Sequence, residues 1–267
     1  MTATRTILDE IVEETEAEVE ERRQRVPQAV LEKRAAAAPA PRGFAAALRA
    51  PGLAVIAEMK ASSPSAGSIA TVYRPDRIAR AYEAGGAAAI SVLCQGSRFG
   101  GHPEHLLQVR AACHLPILRK DFVTMEYQLF EARAYGADAV LLIVAALEDA
   151  RLRELLALCT RLRLDALVEV HGAREVDVAL SADAEIVGVN HRNLKTLSVD
   201  TALTARLRPR IPVGKVLVAE SGIRDASDAR RMVAAGADAI LVGEALMRAE
   251  DPGQLIRDFV REPREPR

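Results

Sequence analysis

One short pattern recurs along the chain at fixed intervals. Gly86-Ala87-Ala88-Ala89-Ile90, Gly136-Ala137-Asp138-Ala139-Val140 and Gly236-Ala237-Asp238-Ala239-Ile240 each close a helical stretch and open an apolar run. A fourth, degenerate copy is Ser181-Ala182-Asp183-Ala184-Glu185-Ile186. The first two glycines stand 50 residues apart and the second and third 100 apart. Apolar runs suited to strands lie at 54–59, 88–93, 115–119, 138–144, 165–170, 185–189, 215–219 and 238–242. Helical stretches follow them, at about 75–85, 104–113, 125–135, 147–162, 172–180, 200–207, 225–235 and 244–248. The four copies precede runs two, four, six and eight, so the repeat is a pair of βα units present four times, with glycine suited to the helix C-cap. Eight alternating βα units fit a parallel barrel or a doubly wound sheet. The regular repeat favours an α/β fold of the (β/α)8 TIM-barrel type, and 267 residues is the right length for one.

Ahead of the first run, residues 5–25 read as a helix with Ile7, Leu8, Ile11, Val12 and Val19 at helical spacing and Thr6 as its cap, Asp9 following three residues on. Pro27 is expected to end it, 35–41 to be a connector, and 44–49 to form one more short helix. The division is an N-terminal helical extension over 1–52, the barrel over 53–260, and a disordered tail over 261–267, one domain overall. The chain lacks an apolar segment of about 20 residues, so no membrane span is expected. The stretch 8–25, rich in Glu and Arg, is no signal peptide. Three cysteines, Cys94, Cys113 and Cys159, form no CxxC pair, which suggests a reducing compartment and a cytoplasmic protein. A net charge of −1 argues against nucleic-acid binding by bulk charge, and the absence of Trp argues against base-stacking platforms.

In a barrel the active site lies at the C-terminal ends of the strands. Run one ends at Glu58 and Lys60, which share a strand face; run three at Arg119-Lys120-Asp121-Phe122; run five at Glu169. Run six ends at Asn190-His191-Arg192-Asn193, run seven at Glu220-Ser221-Gly222, and run eight at Gly243-Glu244. Three glutamates, two lysines and an asparagine thus converge on one mouth, an arrangement that can hold charge states apart for acid–base work. Gly222 and Gly243, with Ser221 and with Ser63 from the first loop, form a phosphate cradle after strands seven and eight. His102 and His105 are three apart with no third ligand nearby, and His171 and His191 stand singly, so no metal set is expected. The residues alone point to cofactor-free acid–base chemistry on a phosphorylated small molecule.

Glu58-Met59-Lys60-Ala61-Ser62-Ser63-Pro64-Ser65 resembles the first motif of the indole-3-glycerol phosphate synthases, the barrel enzymes of tryptophan biosynthesis. Leu118-Arg119-Lys120-Asp121-Phe122, Val168-Glu169-Val170, Gly188-Val189-Asn190-His191-Arg192-Asn193-Leu194, Glu220-Ser221-Gly222-Ile223 and Leu241-Val242-Gly243-Glu244-Ala245-Leu246-Met247 resemble its further blocks, in order. The resemblance implies a carboxy-lyase that cyclises 1-(2-carboxyphenylamino)-1-deoxyribulose 5-phosphate with loss of carbon dioxide and water. It implies Lys120 as general acid, Glu169 as general base in dehydration, and Lys60 on the substrate carboxylate, with Glu58, Asn190 and Glu220 orienting them. Ser63, Ser221, Gly222, Gly243, Glu244 and Arg192 belong to its substrate and phosphate site, and Phe99, Phe122 and Leu194 wall the aromatic ring. A monomer is expected, with other tryptophan-pathway enzymes as the partners the resemblance allows.

The sequence departs from the family pattern at Ala61 and Ala66, where basic residues are common, at Cys94-Gln95, and at Glu244, where a serine is frequent. A carboxylate beside a phosphate is unfavourable, so that contact is assigned to the Gly243 backbone. Two other readings use the same barrel: an isomerase of a ribulose-type phosphate, and a barrel that only binds a phosphometabolite. The isomerase would not need two lysines and Glu169 around a carboxylate pocket, and only Ala61 and Ala66 favour the binding barrel.

Overall fold

The computed structural model describes residues 5–63, 67–68, 73–193 and 196–263. Eight parallel strands close into a barrel: β1 (Ala54–Met59), β2 (Ala89–Leu93), β3 (Ile117–Lys120), β4 (Ala139–Ile143), β5 (Asp165–Val170), β6 (Ile186–Asn190), β7 (Val216–Glu220) and β8 (Ala239–Val242). Each pairs with its neighbours in sequence, and β1 closes the ring on β8 with Ala54 opposite Ala239. The outer layer comprises α4 (Pro75–Ala84), α5 (His105–Ala112), α6 (Glu126–Ala134), α7 (Asp149–Leu162), α8 (Ala173–Ser181), α9 (Leu203–Leu207), α10 (Ala226–Ala234), α11 (Glu244–Arg248) and α12 (Pro252–Val260). A helical extension comes first: α1 (Ile7–Arg25), α2 (Gln28–Ala37) and α3 (Phe44–Leu48).

Alternation along each strand splits the core in two. Outward residues such as Val55, Val92, Val140 and Val187 pack with the outer helices. Inward residues such as Ile56, Leu118, Leu141, Leu167, Val218 and Leu241 fill the barrel axis. The extension supplies both ends of that inner core. Phe44 and Leu48 of α3, both fully buried, plug the strand-start end, and Leu8 and Ile11 of α1 join the same cluster from the mouth.

The strand starts are stapled by carboxylates. Asp138 accepts the Ile117 and Arg42 backbone N–H groups at 2.7 and 2.6 Å and pairs with Arg110. Asp238 accepts Leu217 N–H at 2.8 Å, and Asp165 accepts Ala45 N–H at 2.8 Å, which fixes α3 to the barrel. The degenerate repeat sits two residues out of the expected register. Asp183, not Ser181, takes the left-handed conformation that Gly86, Gly136 and Gly236 adopt, at φ 58 against 89, 84 and 84. Aspartate is among the few non-glycine residues that tolerate it.

Two helices depart from the expected organisation. Residues 28–37 are helical where a connector beginning at 35 was expected, because Leu31 buries fully against Val19 of α1 and Tyr127 of α6. Pro27 starts α2 rather than merely ending α1. The final helix, α12, lies beyond the eight expected helical stretches. Asp251 caps it by accepting Gln254 N–H, Pro252 opens it, and Gly85 and Gly253 let it lie so close to the end of α4 that a Cβ at 85 would sit 2.8 Å from the Gly253 Cα. Of the expected tail, 264–267 lie outside the described residues.

Candidate active site

The strand registers set the working side chains at one level of the mouth. Lys120 is level with Leu93, Glu169 with Ile143 and Gly188, and Glu220 with Asn190 and Leu241. They line a cavity of about 900 Å³, in the range of small-molecule sites. Its wall also carries Lys60, Phe99, Phe122, Arg192, Ser221, Gly222, Gly243 and Glu244.

Two ion pairs face one another there. Lys60 Nζ donates to Glu58 Oε1 at 2.6 Å. Lys120 Nζ donates to Glu169 Oε2 at 3.0 Å and lies 3.6 Å from Glu220 Oε2. All three glutamates are buried. Burial would raise the Glu169 carboxyl, but the Lys120 ammonium and then His171 overcome it and hold the group well below the usual carboxylate range. Glu58 behaves likewise: burial is outweighed by Lys60 and Lys120 together. Burial would discharge Lys120, yet Glu169, Glu220 and Glu58 raise it above its ordinary value. Glu220 goes the other way, pushed up to about 8 by burial and by the neighbouring Glu169 charge. Glu220, farther from Lys120 than Glu169 is and beside the Glu169 charge, is therefore the carboxyl that keeps its proton near neutral pH.

Glycines make room for these carboxylates. A Cβ at Gly188 would collide with Glu220 Oε1, and one at Gly243 with Glu58 Oε1 while standing 3.0 Å from Lys60 Nζ. Gly243 therefore accommodates the ion pair as well as bordering the expected phosphate cradle.

The turn after β7 is conformationally strained: Ser221 is a non-glycine residue at φ 68, followed by Gly222 at φ 76. The Ser221 carbonyl lies 2.8 Å from His191 Nδ1. A carbonyl only accepts, so Nδ1 carries the proton and Nε2, 2.7 Å from the Thr204 hydroxyl, accepts in turn. Burial lowers the His191 pKa, which keeps that neutral tautomer. The Ser221 hydroxyl donates to Asn190 Oδ1 at 2.8 Å, and Arg192 N–H donates to the same oxygen at 3.0 Å. The Asn190 amide nitrogen is thereby left to bond Glu169.

Glu244 lines the cavity, but its carboxylate is 3.1 Å from Arg248 Nε, which also lines it. The charge expected to disfavour a phosphate is thus offset by a cation one helical turn on. Phe99 and Phe122 stand 6.1 Å apart between ring centroids, tilted by 30°, and form an aromatic wall. Leu194, Pro64, Ser65 and Ala66 lie outside the described residues. Ser63 falls in a two-residue strand whose backbone pairs with Gly67. Among the described residues no cluster of His, Cys, Asp or Glu could hold a metal ion.

The mouth has a roof that the sequence did not assign to it. Ile7, Leu8 and Ile11 of α1 line the cavity. The helix is held to the loop after β2: Arg98 pairs with Glu14 at 2.6 Å and Glu10 at 2.9 Å, while Glu18 accepts the Gly96 and Ser97 N–H groups at 3.1 and 2.8 Å. Farther along, Arg22 reaches Glu131 at 2.9 Å, part of a buried cluster with Arg119 and Asp121 behind Lys120. The apolar stripe of α1 was visible in the sequence; what it covers depends on this distant loop. Arg224 and Arg248 are two basic lining residues that sequence reasoning also passed over.

A (β/α)8 frame with lysines and glutamates interleaved at its strand ends defines an acid–base enzyme of the barrel class. Residues 8–259 match the family model of indole-3-glycerol phosphate synthase. Indole-3-glycerol phosphate synthase 2 of Streptomyces coelicolor is 59% identical over 254 residues, covering 95% of this chain and 98% of that protein. The indole-3-glycerol phosphate synthase of Mycolicibacterium gilvum is 50% identical over 255 residues, covering 96% and 94%. The solved thiamine phosphate pyrophosphorylase of Pyrococcus furiosus shares the fold, with a TM-score of 0.57 and 17% identity over 78% of this chain and 93% of that one. The chain belongs to the indole-3-glycerol phosphate synthase family.

Proposed function

We propose that this chain closes the indole ring of 1-(2-carboxyphenylamino)-1-deoxyribulose 5-phosphate, releasing carbon dioxide and water to give indole-3-glycerol phosphate. The activity is that of a carboxy-lyase in tryptophan biosynthesis. The observation that carries the assignment of roles is the Lys120 ammonium held between Glu169 and Glu220, opposite the Lys60–Glu58 pair.

Lys120 starts as an ammonium, the state a general acid needs, and Glu169 starts as a carboxylate, the state a base needs. The ring carbon bearing the carboxylate attacks the ketone carbon while Lys120 protonates the ketone oxygen. Carbon dioxide leaves with its bonding pair returned to the ring, which restores aromaticity. The new hydroxyl then departs as water with a proton from Lys60, freed by the loss of carbon dioxide, and Glu169 takes a proton from the adjacent ring methylene. Lys60 holds the substrate carboxylate until it leaves, Glu58 positions Lys60, and Asn190 orients Glu169. Phe99 and Phe122 enclose the ring, with Leu194 assigned to the same wall. Ser221, Gly222, Gly243 and the Ser63 loop hold the phosphate, with Arg192 and Glu244 bordering them. The working unit is a monomer.

Fluorescence of the indole product tests the reading. Purified wild-type protein turns over the anilino-ribulose phosphate, and no turnover would sink it. Lys120→Ala abolishes cyclisation, a loss of about 10²–10⁴-fold for a general acid. Glu169→Gln slows dehydration and lets the cyclised, decarboxylated intermediate accumulate. An unchanged rate in Lys120→Ala removes the assignment of the acid.

A further inference from the structure

Glu169 is gripped from both sides. Its Oε2 takes Lys120, and its Oε1 lies 3.3 Å from His171 Nε2. His171 follows the end of β5, and its ring is only 13% exposed. Glu175, in the first turn of α8, reaches back to it: Glu175 Oε2 accepts the His171 backbone N–H at 2.8 Å and stands 3.2 Å from Nδ1. One carboxylate thus fixes both the main chain and the ring of His171.

That double hold determines what His171 offers to Glu169. A carboxylate only accepts, so Nδ1 must carry a proton toward Glu175. With Nδ1 protonated, a neutral ring would turn the Nε2 lone pair on the Glu169 carboxylate. Only the imidazolium presents an N–H there. The contact is off the line of a good hydrogen bond, since Nε2 finds no partner of proper geometry, so its main effect is the charge. Burial would discharge the ring, but the Glu169 and Glu175 carboxylates beside it raise it to about 10.

We propose that His171 is a positioning residue for the reaction, an imidazolium anchored by Glu175 that orients Glu169 and keeps it ionised when Lys120 gives up its proton to substrate. The proposal rests on the role of Glu169 given above. Lys120 cannot guard the Glu169 charge throughout the cycle, because as the acid it becomes neutral in the step before Glu169 acts. A second cation on the other carboxylate oxygen fills that interval. The groups facing the pair are few. Glu169 and Glu175 act on the ring from β5 and α8; Lys120 and Glu220 face Glu169 from β3 and β7, Asn190 faces it from β6, and the Glu58 charge reaches it from β1. The turn Val144–Ala146, which packs against β5 and α8, brings no titratable side chain.

The experiment is a comparison of wild type, His171→Asn and Glu175→Gln, with two readouts. The first is the pH profile of kcat. An imidazolium within hydrogen-bonding distance depresses a carboxyl by about one to three pH units, so His171→Asn moves the acid limb of kcat up by that amount and leaves KM within about two-fold. Glu175→Gln keeps an acceptor for the His171 N–H but lowers the ring's affinity for a proton, so the alkaline limb moves down. The second readout needs no turnover: ¹³C NMR of the glutamate carboxyls, with the Glu169 signal assigned by its loss in Glu169→Gln. It shows the Glu169 titration at higher pH in His171→Asn than in wild type. A kcat that merely falls, with both limbs and the Glu169 titration unmoved in both variants, overturns the proposal. Failure of the functional reading alone removes wild-type turnover and leaves the NMR shift in place.

Discussion

Gly243 lies against Glu58 so closely that no side chain fits between them; even a methyl group would strike Glu58 Oε1. The last strand's end thereby fixes where the first strand's carboxylate, and with it Lys60, can stand. Gly243→Ala is expected to displace the ion pair without unfolding the barrel, since overpacking of this size costs about 1–3 kcal/mol. Steady-state kinetics check it: kcat/KM falls by about ten-fold or more, equivalent to ~1.4 kcal/mol or more of transition-state stabilisation, while far-UV circular dichroism is unchanged. Wild-type kinetics would show that the pair relaxes around the methyl group.

The Glu220 carboxyl ties stability to pH. Its folded pKa of about 8 lies above the ordinary 4.5, with burial first and the Glu169 charge second as causes. Between those values the folded protein holds a proton that the unfolded chain has released. Stability from this group is therefore complete below pH 4.5 and lost as pH rises towards 8. Glu220→Gln cannot ionise and escapes the loss. Its melting temperature, measured against wild type by calorimetry, is expected to gain steadily from about pH 4 to about pH 8. A difference that stays flat over that range contradicts the assignment.

Arg98 couples the roof to the mouth through Glu10 and Glu14. Arg98→Met leaves the apolar contacts of α1 but removes both ion pairs. Thermolysin is expected to cut within 7–25 several-fold faster than in wild type, and KM to rise a few-fold with a smaller change in kcat. High salt applied to wild type acts in the same direction, because these pairs are partly exposed. Equal proteolysis rates for variant and wild type would show that apolar packing alone holds the helix.

Asp138 lies at the opposite end of the barrel from the chemistry, where residues serve stability. Asp138→Ala leaves Arg110 without its carboxylate and two backbone N–H groups without an acceptor. A loss of about 3–5 kcal/mol is expected, read from urea unfolding, because breaking a buried pair on one side strands the other partner. At a temperature where the variant is folded, kcat stays within about two-fold of wild type.

Much of this was legible in the chain because the relevant signals are local. Alternation and the Gly-Ala-Asp repeat depend on residues within a few positions, and they gave the eight βα units and the strand-end origin of Glu58, Lys120, Glu169, Asn190 and Glu220. What was not legible depends on distant partners. Residues 28–37 carry helix-forming side chains, but their helix is secured by Tyr127, about a hundred residues on. The N-terminal stripe of Ile7, Leu8 and Ile11 announced a helix and not the cavity it would cover. Two features were within reach. His171 read as a lone histidine although Glu169 stands two residues back, the spacing that puts Glu58 and Lys60 on one face. The final helix is the other. Asp251-Pro252 is a local start signal, and α12 was within reach of the sequence.

The closure of β1 on β8 has a consequence for synthesis. The helix that roofs the mouth precedes everything it will rest on: the loop after β2 and α6 emerge later, and the register Ala54–Ala239 forms only when the last strand is available. A ribosome that has delivered the first half of the chain has made both lysines but not Glu169, Asn190 or Glu220. Until the ring shuts, β1 has one flank unpaired and α1 has its apolar stripe uncovered, the kind of exposed surface that invites premature association. The strongly charged other face of α1 then has a second use, keeping a waiting helix in solution until the barrel beneath it is complete.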